Sequence, residues 1–142
     1  DWSLLEKNRE LFDFFKFMIR LRMEHPILRE NTAPSGMGFP FMSFHGAKPW
    51  EQGFEWTTRL LGVLFAGKRE ENNDDLLYLA INTYWESQNM ELPKLPQGWC
   101  WRPLADTGRG KDAVIRQKEL LGDRSYLVHL RSVCVFGADE MG

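Results

Sequence analysis

The clearest period in the chain runs from Asn8 to Pro26, NRELFDFFKFMIRLRMEHP. At roughly 100° per residue, Arg9, Asp13, Lys16, Arg20 and Glu24 fall on one narrow polar stripe. Leu11, Phe12, Phe14, Phe15, Phe17, Met18, Ile19, Leu21 and Met23 cover most of the remaining circumference. A helix lying on one small domain needs an apolar stripe a little over about 100° wide, and this one has roughly twice that. It is therefore expected to be buried on two sides. Asn8 is the expected N-cap, after a short turn in which Ser3 and Glu6 have capping-box spacing. Pro26 sets the end, because it disfavours the helical region for His25 and has no N–H to donate. Arg22 departs from the pattern by standing within the apolar face. It reads either as an arginine whose head reaches solvent or terminal carbonyls, or as half of a buried ion pair with a partner's carboxylate.

Beyond the helix the pattern changes. Residues 29–40, RENTAPSGMGFP, carry two prolines and two glycines and read as a linker or irregular entry. Strands are expected at 41–45, at 60–65 with Gly67 closing it before a polar loop at 68–75, and at 76–83. The last of these, LLYLAINT, is apolar on both faces, as a central strand covered on two sides would be. A short edge-like strand is expected at 90–92 before Pro93, followed by strands at 99–102, 126–130 and 132–136. Residues 114–121 are ambiguous between an irregular and a short strand segment. Many short strands separated by Gly, Pro, Asn and Asp predict a mainly β fold, an antiparallel β-sandwich preceded by one long N-terminal α-helix.

Composition narrows the function classes. The 142 residues fit one domain with a real core. A net charge of −2 is unlike the basic footprint of a nucleic-acid binder, so no nucleic-acid partner is expected. No apolar run approaches the ~18 residues of a membrane span, so no membrane partner is expected either. Cys100 and Cys134 form neither a disulfide framework nor a metal spacing, which suits a reducing, cytoplasmic setting. His25, His45 and His129 are scattered, and the acids cluster where strands should turn, so neither catalytic nor metal-ligating residues nor a cofactor are expected.

Six tryptophans are the remaining candidates for chemistry. Trp50, Trp56, Trp85, Trp99 and Trp101 suit either core and interface filling or a platform on which the apolar C–H face of a sugar ring stacks. Trp85, beside Asn82 and just past the central strand, is the first candidate for carbohydrate binding, with Trp50 and Trp56 after it.

Several pieces in fixed order carry a resemblance: LRMEHPILR, then FHG, Glu55-Trp56, LLYLAINTYWESQNMELP, GWCWRPLADT and LRSVCVF. The most specific set is Asn82, Trp85, Glu86, Leu92, Pro93, Trp101, Asp106 and Thr107. The ordered set resembles the C-terminal part of glycogen-debranching enzymes of the isoamylase type, in the α-amylase superfamily. The resemblance implies that residues 1–30 are the last helix of a missing (β/α)₈ catalytic barrel. Residues 31–142 are then a Greek-key β-sandwich of the domain C type. It also implies that the barrel of the same parent chain is the partner, with Phe14, Met18, Leu21 and Arg22 at the interdomain contact. The family's catalytic carboxylates match no position here. α-Glucan, as glycogen or maltooligosaccharide, is the implied ligand, and a helix stripped of its barrel is expected to drive self-association. Two features depart from the family: Phe44 stands where Trp usually precedes His-Gly, and the stretch from His45 to Trp56 is short.

Overall fold

Strand β3 (Asn73–Asn82) carries the architecture, because both of its faces are apolar and both are covered. The structure, a computed structural model, describes residues 1–51, 59–70 and 72–141. A five-stranded antiparallel sheet has the order β1 (Met42–His45), β2 (Leu60–Glu70), β3, β7 (Ser132–Glu140), β5 (Trp99–Asp106), which places β3 in the middle. β4 (Gln88–Glu91) and β6 (Ser125–Val128) pair antiparallel as a second, two-stranded sheet. The chain alternates between the sheets from β3 onward, and β7 returns to lie between β3 and β5, the Greek-key kind of crossover.

Two apolar layers follow from this order. Leu76, Tyr78 and Ala80 of β3, together with Trp101, Cys134 and Phe136 of the same sheet, pack with Met90 and Val128 of the small sheet in the core between the sheets. Leu77 and Leu79, pointing the other way by the period of two, pack with Leu104, Ala105 and Val135 beneath the N-terminal helix. The molecule is thus a small sheet, a large sheet and a helix in three layers.

The helical segment is split. α1 (Trp2–Lys7) is capped by Asp1, which accepts from the Ser3 N–H, so the first turn begins two residues before the capping-box spacing suggests. Asn8 closes α1 and opens α2 (Arg9–Glu24), but its side chain donates back to the Leu4 carbonyl instead of capping α2. α2 ends at His25, whose extended backbone (φ −118°, ψ 91°) is what a following proline favours. The Nδ1–H of His25 donates to Asp75 Oδ1 at 2.8 Å, tying the end of the helix to β3.

Gly67 does not terminate β2. It pairs with Asp75 inside the ladder, and the hairpin continues to Glu70 and Asn73. A side chain at 67 would meet Thr32 and Ile27, so the glycine lets the 29–40 segment cross the strand closely. β5 likewise runs past Pro103 to Asp106, with a bulge between Pro103 and Ala105. An edge strand tolerates proline, and residues 113–121 cover that edge through Ala113 O, Ile115 N and Leu121 N. That resolves the ambiguous segment as an irregular strap with a single bridge, Ala105 to Val114.

Candidate functional site

The residues that recur as motifs are the hydrogen-bond anchors of the sandwich. Asn82, buried at the end of β3, donates from Nδ2 to the carbonyls of Glu86, Val128 and His129 and accepts from the Tyr84 N–H. One side chain thereby sets the β3–β4 turn and joins it to the end of β6. The Trp101 indole N–H donates to the Pro93 carbonyl at 2.8 Å, which gives a buried tryptophan its required partner. Asp106 accepts from the Gly108 N–H and, at 2.6 Å, from the Tyr126 hydroxyl, while Thr107 Oγ1 accepts from the Val133 N–H. Burial, followed by the bond to Asp106, holds the Tyr126 hydroxyl in its neutral form, its pKa pushed up to about 12. Arg109 makes a bidentate contact with Glu119, and this pairing holds the Glu119 carboxyl below its usual range.

The His-Gly pair forms a second anchor. The Trp50 N–H donates to His45 Nδ1 at 2.8 Å, so the ring proton sits on Nε2 and donates to Ser43 Oγ at 2.9 Å. His45 is buried, and desolvation lowers its pKa. Its ring packs against Tyr78, whose hydroxyl occupies the space a side chain at Gly62 would take.

The candidate carbohydrate residues now separate. The Trp50 ring stacks on Phe39 (centroids 5.9 Å apart, 9° between planes) and meets the His45 ring at a steep angle at 4.5 Å, so it is tied to two other rings while staying 51% exposed. Trp56 lies outside the described residues. Trp85 stacks on Tyr84 at 4.3 Å and is 61% exposed, which leaves the opposite face of the indole in water. Trp99 is half-buried at the start of β5. The role of Tyr84 as the backing ring was not singled out from the sequence, although an adjacent Tyr-Trp pair in an expected turn is a readable signal.

The interdomain candidates lie on two sides of α2. Leu21, 6% exposed, and Phe14, together with Phe17, face the sandwich. Phe12, Phe15 (59% exposed), Ile19 (62%) and Met23 stand on the opposite side, while Met18 and Leu11 are exposed on the flank between the two. Trp2 and Leu4 of α1 are also exposed. Arg22 is exposed and donates from Nη1 to the Leu28 carbonyl, while Arg29 donates to the carbonyls of Arg22 and Met23. The head of Arg22 therefore reaches a carbonyl just beyond the helix, and Arg29 satisfies two terminal carbonyls of the helix itself. A groove of about 700 Å³ opens between Glu10, Asp13 and Phe14 of α2 and Arg109, Lys111 and Arg116 of the 107–119 segment.

A model of the family described as isoamylase 1-3, C-terminal, matches residues 43–135, from β1 into β7. A search of curated proteins gave no match. The matched span contains the anchors just described, His45, Asn82, Trp101, Asp106 and Thr107, and covers well over half of the 142 residues. On that match and on the two-sheet antiparallel fold, the chain belongs to the isoamylase 1-3 C-terminal domain family.

Proposed function

We propose that this chain is the non-catalytic C-terminal end of an isoamylase-type glycoside hydrolase that cleaves α-1,6 branch points in α-glucan such as glycogen. Residues 1–30 supply the last helix of its (β/α)₈ catalytic barrel, and residues 31–142 form the sandwich that seals that end of the barrel. The observation that carries this reading is the two-faced helix α2. Phe14, Phe17 and Leu21 are held by the sandwich, whereas Phe15, Ile19 and Met23 stand in solvent on the far side. Scattered exposed apolar residues are ordinary, but a continuous stripe on one helix marks an interaction face.

The polar groups support a structural part as well. Asn82, Asp106, His25 and His45 are buried and committed to fixing turns and strand ends, where a hydrolase would need two carboxylates free to converge on a bond. In this reading the reaction belongs to the barrel, and the sandwich holds the barrel's final helix in place. A reducing, cytoplasmic setting goes with it, supported by Cys100 and Cys134 standing as free thiols. Among the described residues no helix is long and apolar enough to cross a membrane.

The test is a reducing-end assay on pullulan and on glycogen with the 142-residue chain. No release is expected from the chain alone. Measurable turnover that follows its concentration overturns the non-catalytic reading.

A further inference from the structure

The turn that displays Trp85 is held more firmly than a surface turn requires. Thr83 donates twice to the Arg59 carbonyl, from its N–H at 2.9 Å and from Oγ1 at 3.0 Å. The Tyr84 N–H donates to Asn82 Oδ1, and the Tyr84 carbonyl accepts from the Arg131 N–H. The Glu86 carbonyl accepts from Asn82 Nδ2. The backbone on both sides of Trp85 is therefore clamped by one buried amide, and the indole is braced from behind by the Tyr84 ring at 4.3 Å. What remains is one indole face, fixed in orientation and open to solvent. The exposed side chains of Glu86 and Arg131 belong to the same cluster of turns.

We infer that the Tyr84–Trp85 pair is a stacking platform for a pyranose ring of α-glucan, a binding site on the sandwich separate from the bond-cleaving centre. A pyranose presents an apolar C–H face that matches an indole face in size, and its equatorial hydroxyls point sideways, where a carboxylate and a guanidinium can accept and donate. Pre-ordering of the ring removes the entropy otherwise lost when a mobile side chain is fixed by a ligand. The other described tryptophans lack this combination: Trp101 is buried, Trp99 is half-buried, Trp2 stands on the short helix α1 with no bracing ring, and Trp50, although 51% exposed, has the rings of both Phe39 and His45 against it. That the glycan is an α-glucan rests on the debranching reading; the platform itself rests on the geometry.

The test is titration of the 142-residue chain with maltoheptaose, followed by the indole N–H resonances and by calorimetry, with cellohexaose as the β-linked comparator. Saturable binding that shifts the Trp85 resonance is expected, with no response to cellohexaose. Trp85→Ala is expected to weaken it at least about tenfold, equivalent to roughly 1.4 kcal/mol, whereas Trp2→Ala leaves it unchanged. Trp85→Phe, which keeps an aromatic face, is expected to retain part of the affinity. No indole shift at millimolar maltoheptaose overturns the platform but leaves the barrel reading intact, because that reading is tested by complex formation without glycan. A Trp85-dependent preference for cellohexaose overturns the α-glucan assignment and counts against the debranching reading. Maltoheptaose binding that survives Trp85→Ala overturns the site.

Discussion

Asn82 shows how a single residue serves both fold and display. Its amide makes four bonds in a buried position, so Asn82→Ala strands the carbonyls of Glu86, Val128 and His129 and the N–H of Tyr84. Relaxation and water will recover some of these partners, and a loss of about 2–3 kcal/mol is expected, read as a lower urea midpoint with unchanged slope. His45 gives the pH dependence. The unfolded chain takes up its proton near 6.5, and the buried ring does so only at lower pH, so protonation favours the unfolded state. The stability tied to neutral His45 is fully present above about pH 6.5 and falls as the pH drops from there toward the lowered folded value. Urea unfolding at several pH values between about 5 and 8 checks this. His45→Gln should lose that part of the slope, and a variant with the parental slope would refute it.

At the scale of elements, α2 should behave as two different helices. Leu21→Ala opens a cavity against Leu77, Leu104 and Val135 and should cost about 2–4 kcal/mol. Ile19→Ser, on the outer side, should leave the urea midpoint of the isolated chain within about 0.5 kcal/mol of parental stability. Equal costs at the two positions would mean that the outer face is already covered. The width of the apolar stripe made this helix legible from sequence, because period 3.6 leaves one polar row at Arg9, Asp13, Lys16, Arg20 and Glu24. The apolar part of strand β3 was equally legible, since six consecutive residues, Leu76 to Ile81, apolar on both faces fit few other places, although its start at Asn73 lay in the expected polar loop. The full length of β2 and β5 was not. Gly67 and Pro103 are ordinary strand breakers, and only tertiary facts keep them inside strands: the crossing of Thr32 over Gly67 and the edge position of β5.

For the molecule as a whole, sequence and structure divide the information in a physical way. The ordered motif from Asn82 to Thr107 pointed to the family, and within it Asn82, Asp106 and Thr107 anchor turns and strand ends. It did not reveal which tryptophan keeps an open face. That depends on what lies behind each ring: Phe39 and His45 around Trp50, Tyr84 behind Trp85, the sheet core around Trp101. Nor did it separate the two sides of α2, which became distinct only when Leu21 was found against the sandwich and Ile19 in water. With that face bare, the isolated chain should associate with itself, its weight-average mass rising with concentration in light scattering. Phe15→Glu with Ile19→Glu should abolish the rise.

The central claim is that the outer face of α2 belongs to a catalytic barrel encoded in the same reading frame. Sedimentation velocity on an equimolar mixture of this chain and that barrel, expressed separately, tests it directly. A one-to-one complex is predicted, lost when Phe15 and Ile19 are both changed to Glu while the charged variant stays folded. Two species sedimenting independently, or a complex indifferent to those charges, would contradict it.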